Sequence, residues 1–273
     1  MRRLIVLFAL GLHSLLGEGT QFVFMGDAGH GDPPQYEVAK GMQTYCAAKK
    51  CEFALLLGDN FYPSGVKTTT DSQWKTAFEV PYGPLKLLFR VALGNHDHAG
   101  NIDAQIDYTK ISAIWSMPSR YYTFSQGNTQ FFVIDSTKWD GVQREWLKKE
   151  LGQSQARWKV VAGHHPIYSY GQHGHTPELV RELRPILLGK ADFYLCGHDH
   201  DKQILKDSED SALFYVVSGG GSETRAVQGG LLSLYHASSI GFSSLHLDTD
   251  TAVLGMHSSG GQLDYERKFQ HRK

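Results

Sequence analysis

The stretch Phe53-Ala54-Leu55-Leu56-Leu57-Gly58-Asp59-Asn60-Phe61-Tyr62 indicates the fold class of this chain. Its first five residues are all apolar, which is typical of a central strand buried on both faces. Gly58 then allows a close approach of the backbone, and Asp59 and Tyr62 offer a carboxylate and a phenol within one turn. Polar residues directly after a buried strand usually lie at the carboxyl edge of the sheet, where α/β proteins bind ligands. We therefore expect a ligand site around this turn.

The segments next to this stretch predict parallel strands joined by helical crossovers. Residues 21–25 and 87–93 are predicted strands, and residues 36–50 are a predicted helix. Strand–helix–strand order is typical of a parallel pair. Further helices are predicted over residues 71–80, with Asp71 as cap, and over residues 103–115, 141–151 and 177–188.

The second half of the chain predicts another sheet and an antiparallel tail. Residues 121–125 and 130–135 form a predicted hairpin. Further strands are predicted over residues 158–162, 191–196, 213–217, 242–247, 252–257 and 263–269, and Ser218-Gly219-Gly220-Gly221 is predicted to be flexible. Because no linker or repeat interrupts the chain, we predict a single α/β domain over residues 20–273. Its expected architecture is a four-layer α-β-β-α sandwich of two mixed sheets with flanking helices.

Charge and the N-terminal segment bear on partners and compartment. The chain has 273 residues, of which 27 are basic and 28 acidic, so no charge excess favours nucleic acid or an anionic membrane surface. Residues 1–19 are a predicted secretory signal, because Arg2 and Arg3 precede an apolar stretch at 4–16 that is too short to span a membrane. A buried N-terminal strand is the alternative. Export predicts a secreted or periplasmic protein.

Three cysteines are present, and export would permit disulfides. Cys46 and Cys51 are close enough in sequence to pair, although two free thiols are the alternative. Cys196 lies in an apolar predicted strand, where a cysteine usually acts as a small buried hydrophobic residue.

Five predicted strands end in a short polar cluster with glycine beside a candidate ligand. The candidates are Asp27, Asp59 with Tyr62, Asn95, His164, and His198 with His200. A single Gly-Asp or Gly-His turn is usually an ordinary loop, and Tyr62 alone could simply pack beneath its loop. Five such clusters after five apolar runs are not expected by chance. In one sandwich these loops would meet at one edge.

Together the five clusters offer more ligands than one transition metal needs. Two metal ions about 3.5–4 Å apart require a bridging ligand, and the Asp59 carboxylate is central in the order. Two such ions clamp a phosphoryl group and activate water at mild pH. Oxygen donors combined with imidazole favour iron, manganese or zinc over copper. The residues therefore predict a dinuclear centre for phosphoester hydrolysis.

The five clusters resemble the sequence blocks of the purple acid phosphatases, which belong to the calcineurin-like metallophosphoesterases. The matching segments are Gly26-Asp27-Ala28-Gly29, Gly58-Asp59-Asn60-Phe61-Tyr62, Gly94-Asn95-His96-Asp97, Val161-Ala162-Gly163-His164 and Gly197-His198-Asp199-His200. The chain is similar to the small tartrate-resistant acid phosphatase type, also at residues 95–101, 104–106 and 195–200. The resemblance covers essentially the whole chain after residue 19 and implies the metallophosphoesterase fold.

The resemblance also implies a dinuclear cofactor and its ligands. Fe(III) would be held by Asp27, Asp59, Tyr62 and His200. A divalent Fe, Zn or Mn ion would be held by Asp59, Asn95, His164 and His198. Tyr62 is the discriminating residue, because other metallophosphoesterases usually lack a phenolate there. A tyrosinate stabilises Fe(III) and gives these enzymes their colour.

Two histidines match residues that contact substrate in the family. Asn95 and His96 would orient phosphate. His173 would bind phosphate or protonate the leaving alcohol, which suits an imidazole at mildly acidic pH. His165 replaces an aromatic residue and is expected only to pack. The remaining histidines near these loops are expected at the rim, namely His30, His98 and His175.

The chain departs from the mammalian members of this group in three respects. Gln172 replaces a glutamate before His173, which weakens the support for a protonated imidazole. Residues 136–141 are short where the mammalian enzymes carry a protease-sensitive regulatory loop, so we predict no activation by proteolysis. The subgroup's cysteine pair and any Asn-X-Ser/Thr site are absent, which agrees with a non-glycosylating source.

The sequence therefore predicts a metal-dependent acid phosphatase that hydrolyses phosphate monoesters. The expected substrates are small phosphomonoesters, with phosphoproteins and nucleotides as alternatives, and we expect a monomer. A phosphodiesterase or nucleotidase with manganese or zinc on the same scaffold is the enzymatic alternative. A secreted protein that binds phosphate or metal without turnover is the non-enzymatic alternative, although the complete ligand set argues against it.

Overall fold

The computed structural model describes residues 19–208 and 212–271. The predicted secretory signal over residues 1–19 lies outside this range apart from Gly19, so it stays a prediction. Among the described residues, no helix has the length and apolar character that crossing a membrane requires.

The described residues form fourteen strands in two mixed sheets. In chain order the strands are β1 (Thr20–Met25), β2 (Phe53–Leu57), β3 (Leu88–Ala92), β4 (Trp115–Ser116), β5 (Tyr122–Gln126), β6 (Thr129–Val133), β7 (Trp158–Ala162), β8 (Phe193–Cys196), β9 (Lys202–Leu205), β10 (Phe214–Ser218), β11 (Ser233–Ala237), β12 (Gly241–Leu247), β13 (Thr251–Ser258) and β14 (Leu263–Gln270). The first sheet has the order β14-β13-β12-β1-β2-β3-β4, and the second has the order β11-β9-β10-β8-β7-β6-β5.

Helices flank the two sheets. They are α1 (Pro33–Lys49), α2 (Val80–Tyr82), α3 (Asn95–His98), α4 (Ile102–Tyr108), α5 (Gly141–Gln153), α6 (Pro177–Glu182) and α7 (Arg184–Leu187), with a π-helical turn at Trp74–Glu79 and a 3₁₀ turn at Gly83–Leu85. Helix α1 begins after Asp32, whose side chain accepts a hydrogen bond from Gln35 N, and ends at Lys50 in a left-handed conformation.

The predicted crossover unit and the antiparallel segments are confirmed. Strands β1, β2 and β3 pair in parallel, as the strand–helix–strand order indicates. Strands β5 and β6 form the predicted hairpin. Strands β12, β13 and β14 pair in antiparallel fashion at the edge of the first sheet.

Aromatic side chains fill the space between the two sheets. The ring of Phe131 on β6 meets Phe22 on β1 and Phe53 on β2 edge-on, with centroids 5.1 and 5.2 Å apart. Burial of each such side chain contributes about 1.5–3 kcal/mol. A second apolar cluster packs α5 and the turn between α6 and α7 on the other face of the second sheet, through Leu147 and Leu183. These layers confirm the predicted α-β-β-α sandwich.

Two of the predicted helices are wrong in extent. Residues 103–115 were expected to be one helix, but α4 ends at Tyr108 and Trp115 begins the edge strand β4. The Trp115 indole donates to Gln105 O at 2.8 Å and lies buried in the core, so tertiary packing overrides helix propensity there. The predicted helix over residues 177–188 divides into α6 and α7, next to Pro185, which lacks a backbone donor.

The glycine run at residues 218–221 is not the flexible segment that its composition suggests. Gly221 N donates to Gly26 O at 3.2 Å, and Gly219 N donates to Asp201 O at 3.0 Å. All four residues are buried. A Cβ on Gly219 would lie 2.1 Å from Asp199 O, so here glycine permits close backbone packing rather than mobility.

The structure also settles the cysteine pairing. Cys46 and Cys51 form a disulfide between the end of α1 and the start of β2. Cys196 on β8 is a free, fully buried thiol.

Candidate metal centre

Five loops at one edge of the sandwich carry the candidate ligands. Asp27 follows β1, Asp59 follows β2, and Asn95 opens α3 after β3. From the second sheet, His164 follows β7, and His198 with His200 follow β8. The seven predicted ligand side chains, Asp27, Asp59, Tyr62, Asn95, His164, His198 and His200, form one connected cluster.

One half of the cluster surrounds the phenol of Tyr62. Tyr62 Oη lies 3.1 Å from Asp27 Oδ1 and 3.0 Å from Asp59 Oδ2. His200 Nε2 lies 3.3 Å from the same phenol oxygen and 3.4 Å from Asp27 Oδ1. Three oxygen atoms and one ring nitrogen thus converge on one small volume.

The other half surrounds the imidazole of His164. His164 Nε2 lies 3.3 Å from Asp59 Oδ2, 3.1 Å from Asn95 Oδ1 and 3.2 Å from His198 Nδ1. Asp59 Oδ2 is therefore shared by both halves. A carboxylate oxygen in this position is suited to bridge two neighbouring cations.

The backbone at three of these positions is left-handed. The φ angles are 59° at Asp27, 52° at Asp59 and 70° at His198. Asp and His are among the side chains that tolerate this region better than most. In each case the bend follows a buried strand and brings the side chain to the shared edge.

The carboxylates of Asp27 and Asp59 each have one oxygen fixed by a backbone N–H group and one directed at the cluster. Asp27 Oδ2 accepts from His198 N at 2.8 Å, and Asp59 Oδ1 accepts from His96 N at 2.8 Å. The second oxygen of each group is the one that meets Tyr62. Each carboxylate is therefore held in a monodentate orientation toward the site.

Two of the imidazoles have an oxygen atom behind them, and at His164 it forms a hydrogen bond. His164 Nδ1 donates to Leu57 O at 2.9 Å, which fixes the ring so that Nε2 faces the cluster. His200 Nδ1 lies 3.4 Å from Glu223 Oε2, an electrostatic contact without a hydrogen bond. A carbonyl or carboxylate behind a ligating imidazole fixes its tautomer and raises its basicity.

Burial and mutual proximity shift the proton equilibria of the cluster. Burial and the carboxylates of Asp27 and Asp59 raise the pKa of the Tyr62 phenol far above its ordinary value. Burial opposes protonation of His164, but the neighbouring Asp59 and Asp27 carboxylates raise its pKa to about 10. Burial also opposes ionisation of Asp59, yet the nearby His164 keeps the pKa of that carboxyl below its usual range. Without metal, the Tyr62 phenol and the His164 imidazole therefore carry protons on the atoms that would otherwise bind a cation.

The donor set fits two metal ions. Asp27, Asp59 and His164 are buried, and one donor atom from each lies within 4.8 Å of the others. Two carboxylates and a phenol oxygen in mutual contact repel one another once ionised, and a hard cation removes that repulsion. Metal binding requires deprotonated ligands and therefore displaces the protons held by Tyr62 and His164.

The two predicted substrate histidines lie on the open side of the cluster. His96 Nδ1 lies 2.7 Å from Pro63 O, and its Nε2 lies 3.9 Å from Asp59 Oδ2. The His173 ring lies over His198 with centroids 4.3 Å apart. Both rings are more exposed than the buried ligands.

The other four histidines surround the cluster. His165 is half-buried against the His198 ring at 4.4 Å, with Nδ1 at 3.0 Å from Ser136 Oγ. His30 stacks on Tyr62, and its Nδ1 lies 2.6 Å from Ser222 Oγ. His98 contacts the Asp135 carboxylate, and His175 accepts from Ser169 N.

Sequence reasoning missed four side chains that support the site. Asp97 accepts from Asn60 N and Gly94 N, and Ser136 Oγ accepts from His164 N. Glu223 and Arg225 follow the glycine run and reach the rings of His200 and His173. Asp97 lies within a polar cluster of the sequence and could have been suspected. The other three are brought in by tertiary packing alone.

Comparison with known proteins identifies the family. Residues 20–202 match the family model described as calcineurin-like phosphoesterase. The chain is 34% identical to human tartrate-resistant acid phosphatase type 5, over 80% of this chain and 79% of that protein. It is 30% identical to purple acid phosphatase 7 of Arabidopsis thaliana, over 92% of this chain and 86% of that protein.

Solved structures share the same fold. A structure described as GAP50, the anchor in the inner membrane complex of Plasmodium, superposes with a TM-score of 0.84 and 26% identity, over 93% of this chain and 90% of that chain. The purple acid phosphatase PPD1 of yellow lupin superposes with a TM-score of 0.75 and 17% identity, over 93% and 54% of the two chains. From these matches, the chain belongs to the purple acid phosphatases of the calcineurin-like phosphoesterase family and is a phosphoesterase hydrolase.

Proposed function

We propose that the protein is an acid phosphatase that hydrolyses phosphate monoesters with a dinuclear Fe(III)–M(II) centre, in which M is Fe, Zn or Mn. The observation that carries the proposal is the contact of Tyr62 Oη with Asp27, Asp59 and His200 beside a second group of donors that shares Asp59 Oδ2. A phenolate with two carboxylates is a hard donor set suited to a trivalent ion.

The residue roles follow the two halves of the cluster. We assign Fe(III) to Asp27, Asp59, Tyr62 and His200. We assign the divalent ion to Asp59, Asn95, His164 and His198. When bound, two such ions supply positive charge at the phosphoryl oxygens and lower the pKa of water. The protein contributes the fixed orientation of each ligand, because backbone N–H groups and the Leu57 carbonyl hold the carboxylates and the His164 ring.

His96 and His173 are proposed to act on the substrate. His96 Nδ1 is engaged by Pro63 O, so in its protonated form the ring directs Nε2–H toward a phosphate oxygen near Asp59. Asn95 and His96 would orient the phosphate. His173 would bind phosphate or protonate the leaving alcohol.

We also propose that the chain is exported and acts as a monomer on small phosphomonoesters, with phosphoproteins or nucleotides as alternative substrates. Support for export comes from the charged and apolar pattern of residues 1–19 and from the Cys46–Cys51 disulfide, since disulfides persist in oxidising compartments. The near-neutral charge argues against nucleic acid and membrane surfaces as partners.

Metal quantification together with a visible absorption spectrum tests the metal assignment. Wild-type protein is expected to bind two metals, one of them iron, and to be coloured. Tyr62→Phe should lose the visible band and keep the fold, whereas the matched control Tyr265→Phe, on β14, should keep both. Stoichiometric iron in a colourless, inactive wild-type protein would overturn the proposal, and manganese or zinc alone would favour the phosphodiesterase or nucleotidase alternative.

Asp59→Ala tests the bridging role. Removal of the shared oxygen should abolish dinuclear binding, because both halves of the cluster lose a ligand. Hydrolysis of p-nitrophenyl phosphate should be lost with it. Retention of two metals per chain in this variant would contradict the assignment.

A further inference from the structure

The glycine run after β10 forms a fixed platform beside the metal cluster. Gly221 N donates to Gly26 O at 3.2 Å, and Ser222 Oγ donates to Asp27 O at 2.7 Å. Arg225 N then donates to His200 O at 2.7 Å. The backbone from Gly219 to Arg225 is thus tied to two of the loops that carry the ligands.

This platform places one carboxylate and one guanidinium at the mouth of the site. Glu223 Oε2 lies 3.4 Å from His200 Nδ1, and Glu223 Oε1 lies 3.7 Å from Arg225 Nε. Arg225 Nη1 donates to His173 Nε2 at 3.2 Å. Because a guanidinium can only donate, the His173 nitrogen is the acceptor in this geometry.

Arg225 lies nearer the solvent than the buried ligands of the site do. The carboxylates of Asp27 and Asp59 are at most 2% exposed, whereas the Arg225 side chain is 31% exposed. A phosphoryl group bound at the buried ligands would direct its ester oxygen outward, toward His173 and Arg225. The guanidinium therefore faces the leaving group rather than the group that is transferred.

A guanidinium at this place is matched to an anionic leaving group. Its planar fork binds two oxygens of a phosphate or carboxylate at once, which a histidine cannot do. The ion pair with Glu223 is long and exposed, so it adds little to stability. It does place a carboxylate at the Nε edge of the guanidinium, while Nη1 at the other end donates to His173 beside the metal cluster.

We propose that Arg225, paired with Glu223, is a specificity-determining residue that binds an anionic leaving group, and that it favours phosphoanhydrides such as nucleoside diphosphates over esters of uncharged alcohols. This inference rests on the proposed function. With ADP, water adds to the β-phosphorus and the bond from that phosphorus to the bridging oxygen breaks. AMP leaves with the bridging oxygen, and inorganic phosphate and one proton are released.

Equilibrium binding to the purified, metal-loaded protein tests the proposal without turnover. The probes are α,β-methylene-ADP, which carries the anionic leaving group, and inorganic phosphate, which lacks it. Arg225→Ala should raise the Kd for α,β-methylene-ADP ~10- to 100-fold and the Kd for phosphate less than ~3-fold, as expected for loss of a charge-assisted bidentate contact. Arg225→Lys should fall between, since an ammonium keeps the charge but loses the fork.

A matched control and a kinetic comparison complete the test. Arg181 on α6 is 66% exposed and pairs with Glu182, so Arg181→Ala removes the same charge and should change neither Kd. The ratio of kcat/KM for ADP to that for p-nitrophenyl phosphate should fall ~10- to 100-fold in Arg225→Ala. Equal losses for both ligands, or no loss for either, would overturn the role of Arg225. Absence of p-nitrophenyl phosphate hydrolysis by wild-type protein would overturn the proposed function instead, while the binding comparison still decides the role of Arg225.

Discussion

Replacement of Ser136 by alanine is expected to destabilise the protein, because its hydroxyl accepts hydrogen bonds from two backbone N–H groups beside the metal cluster. Ser136 Oγ lies 3.1 Å from His164 N and 2.8 Å from His165 N, and it accepts from both. Ser136 is 8% exposed, and His164 is fully buried. Water therefore has little access to the donors once the hydroxyl is gone.

The magnitude follows from the two N–H groups. A buried donor without a partner costs about 1–3 kcal/mol. His164 N is expected to lie in the upper part of this range and His165 N in the lower part, because His165 is only half-buried. The free energy of unfolding should fall by about 3–5 kcal/mol. At about 2–4 °C per kcal/mol for a domain of about this size, the Tm should fall by about 6–20 °C.

Thermal and urea unfolding of the metal-free protein measure this effect without a contribution from metal binding. Ser125→Ala, at an exposed position of β5, is the matched control and should change the free energy of unfolding by less than about 0.5 kcal/mol. Metal content at saturation should stay the same, since Leu57 O holds the His164 ring independently. A change below about 1 kcal/mol in Ser136→Ala would refute the reasoning.

Two further predictions concern pH and proteolysis. Burial, together with the Lys202 ammonium, lowers the pKa of His257 to about 4. In the unfolded chain the pKa of a histidine is about 6.5. As the pH falls from the unfolded pKa to the folded pKa, His257 takes up a proton in the unfolded chain but not in the folded chain. The free energy of unfolding should therefore drop by about 3 kcal/mol over this window, and urea titrations of His257→Gln should lack this component. An unchanged pH dependence in the variant would speak against it. Limited trypsin treatment should not raise activity, because the loop before α5 is short and Arg120 Nη2 and Gln143 Nε2 both bond to the carbonyl of Lys138. A several-fold activation with cleavage after Lys138 would contradict this.

Local sequence predicted the strands that form the ligand-bearing edge and most of the elements around them. Apolar runs of five residues followed by glycine and a ligand indicate both the strand and its end, as at β2 and Asp59. The short strands β9 and β11 were missed. Their polar and mixed sequences have no clear alternation, and they are strands because β10 offers hydrogen bonds to β9 and β9 offers them to β11.

Several contacts near the site could not be predicted from the sequence, because they depend on packing between distant segments. Nothing local indicates that Ser136 serves the backbone of His164, because the two are 28 residues apart. The contacts of Glu223 and Arg225 depend on a glycine run whose composition suggests flexibility, whereas its close approach to Gly26 makes it rigid. The ligand types were readable from sequence, but the orientation of each side chain depended on partners from other loops.

The left-handed backbone at Asp27, Asp59 and His198 lowers the stability of the fold but places three ligand side chains in the site. Such a conformation costs a residue other than glycine about 1–3 kcal/mol. At Asp27 and Asp59 the hydrogen bonds that the side chains accept from His198 N and His96 N offset part of this cost. Selection for heat resistance alone, with no demand for turnover, should therefore favour glycine at His198 before it favours glycine at Asp27 or Asp59, and the resulting variants should be more stable but inactive.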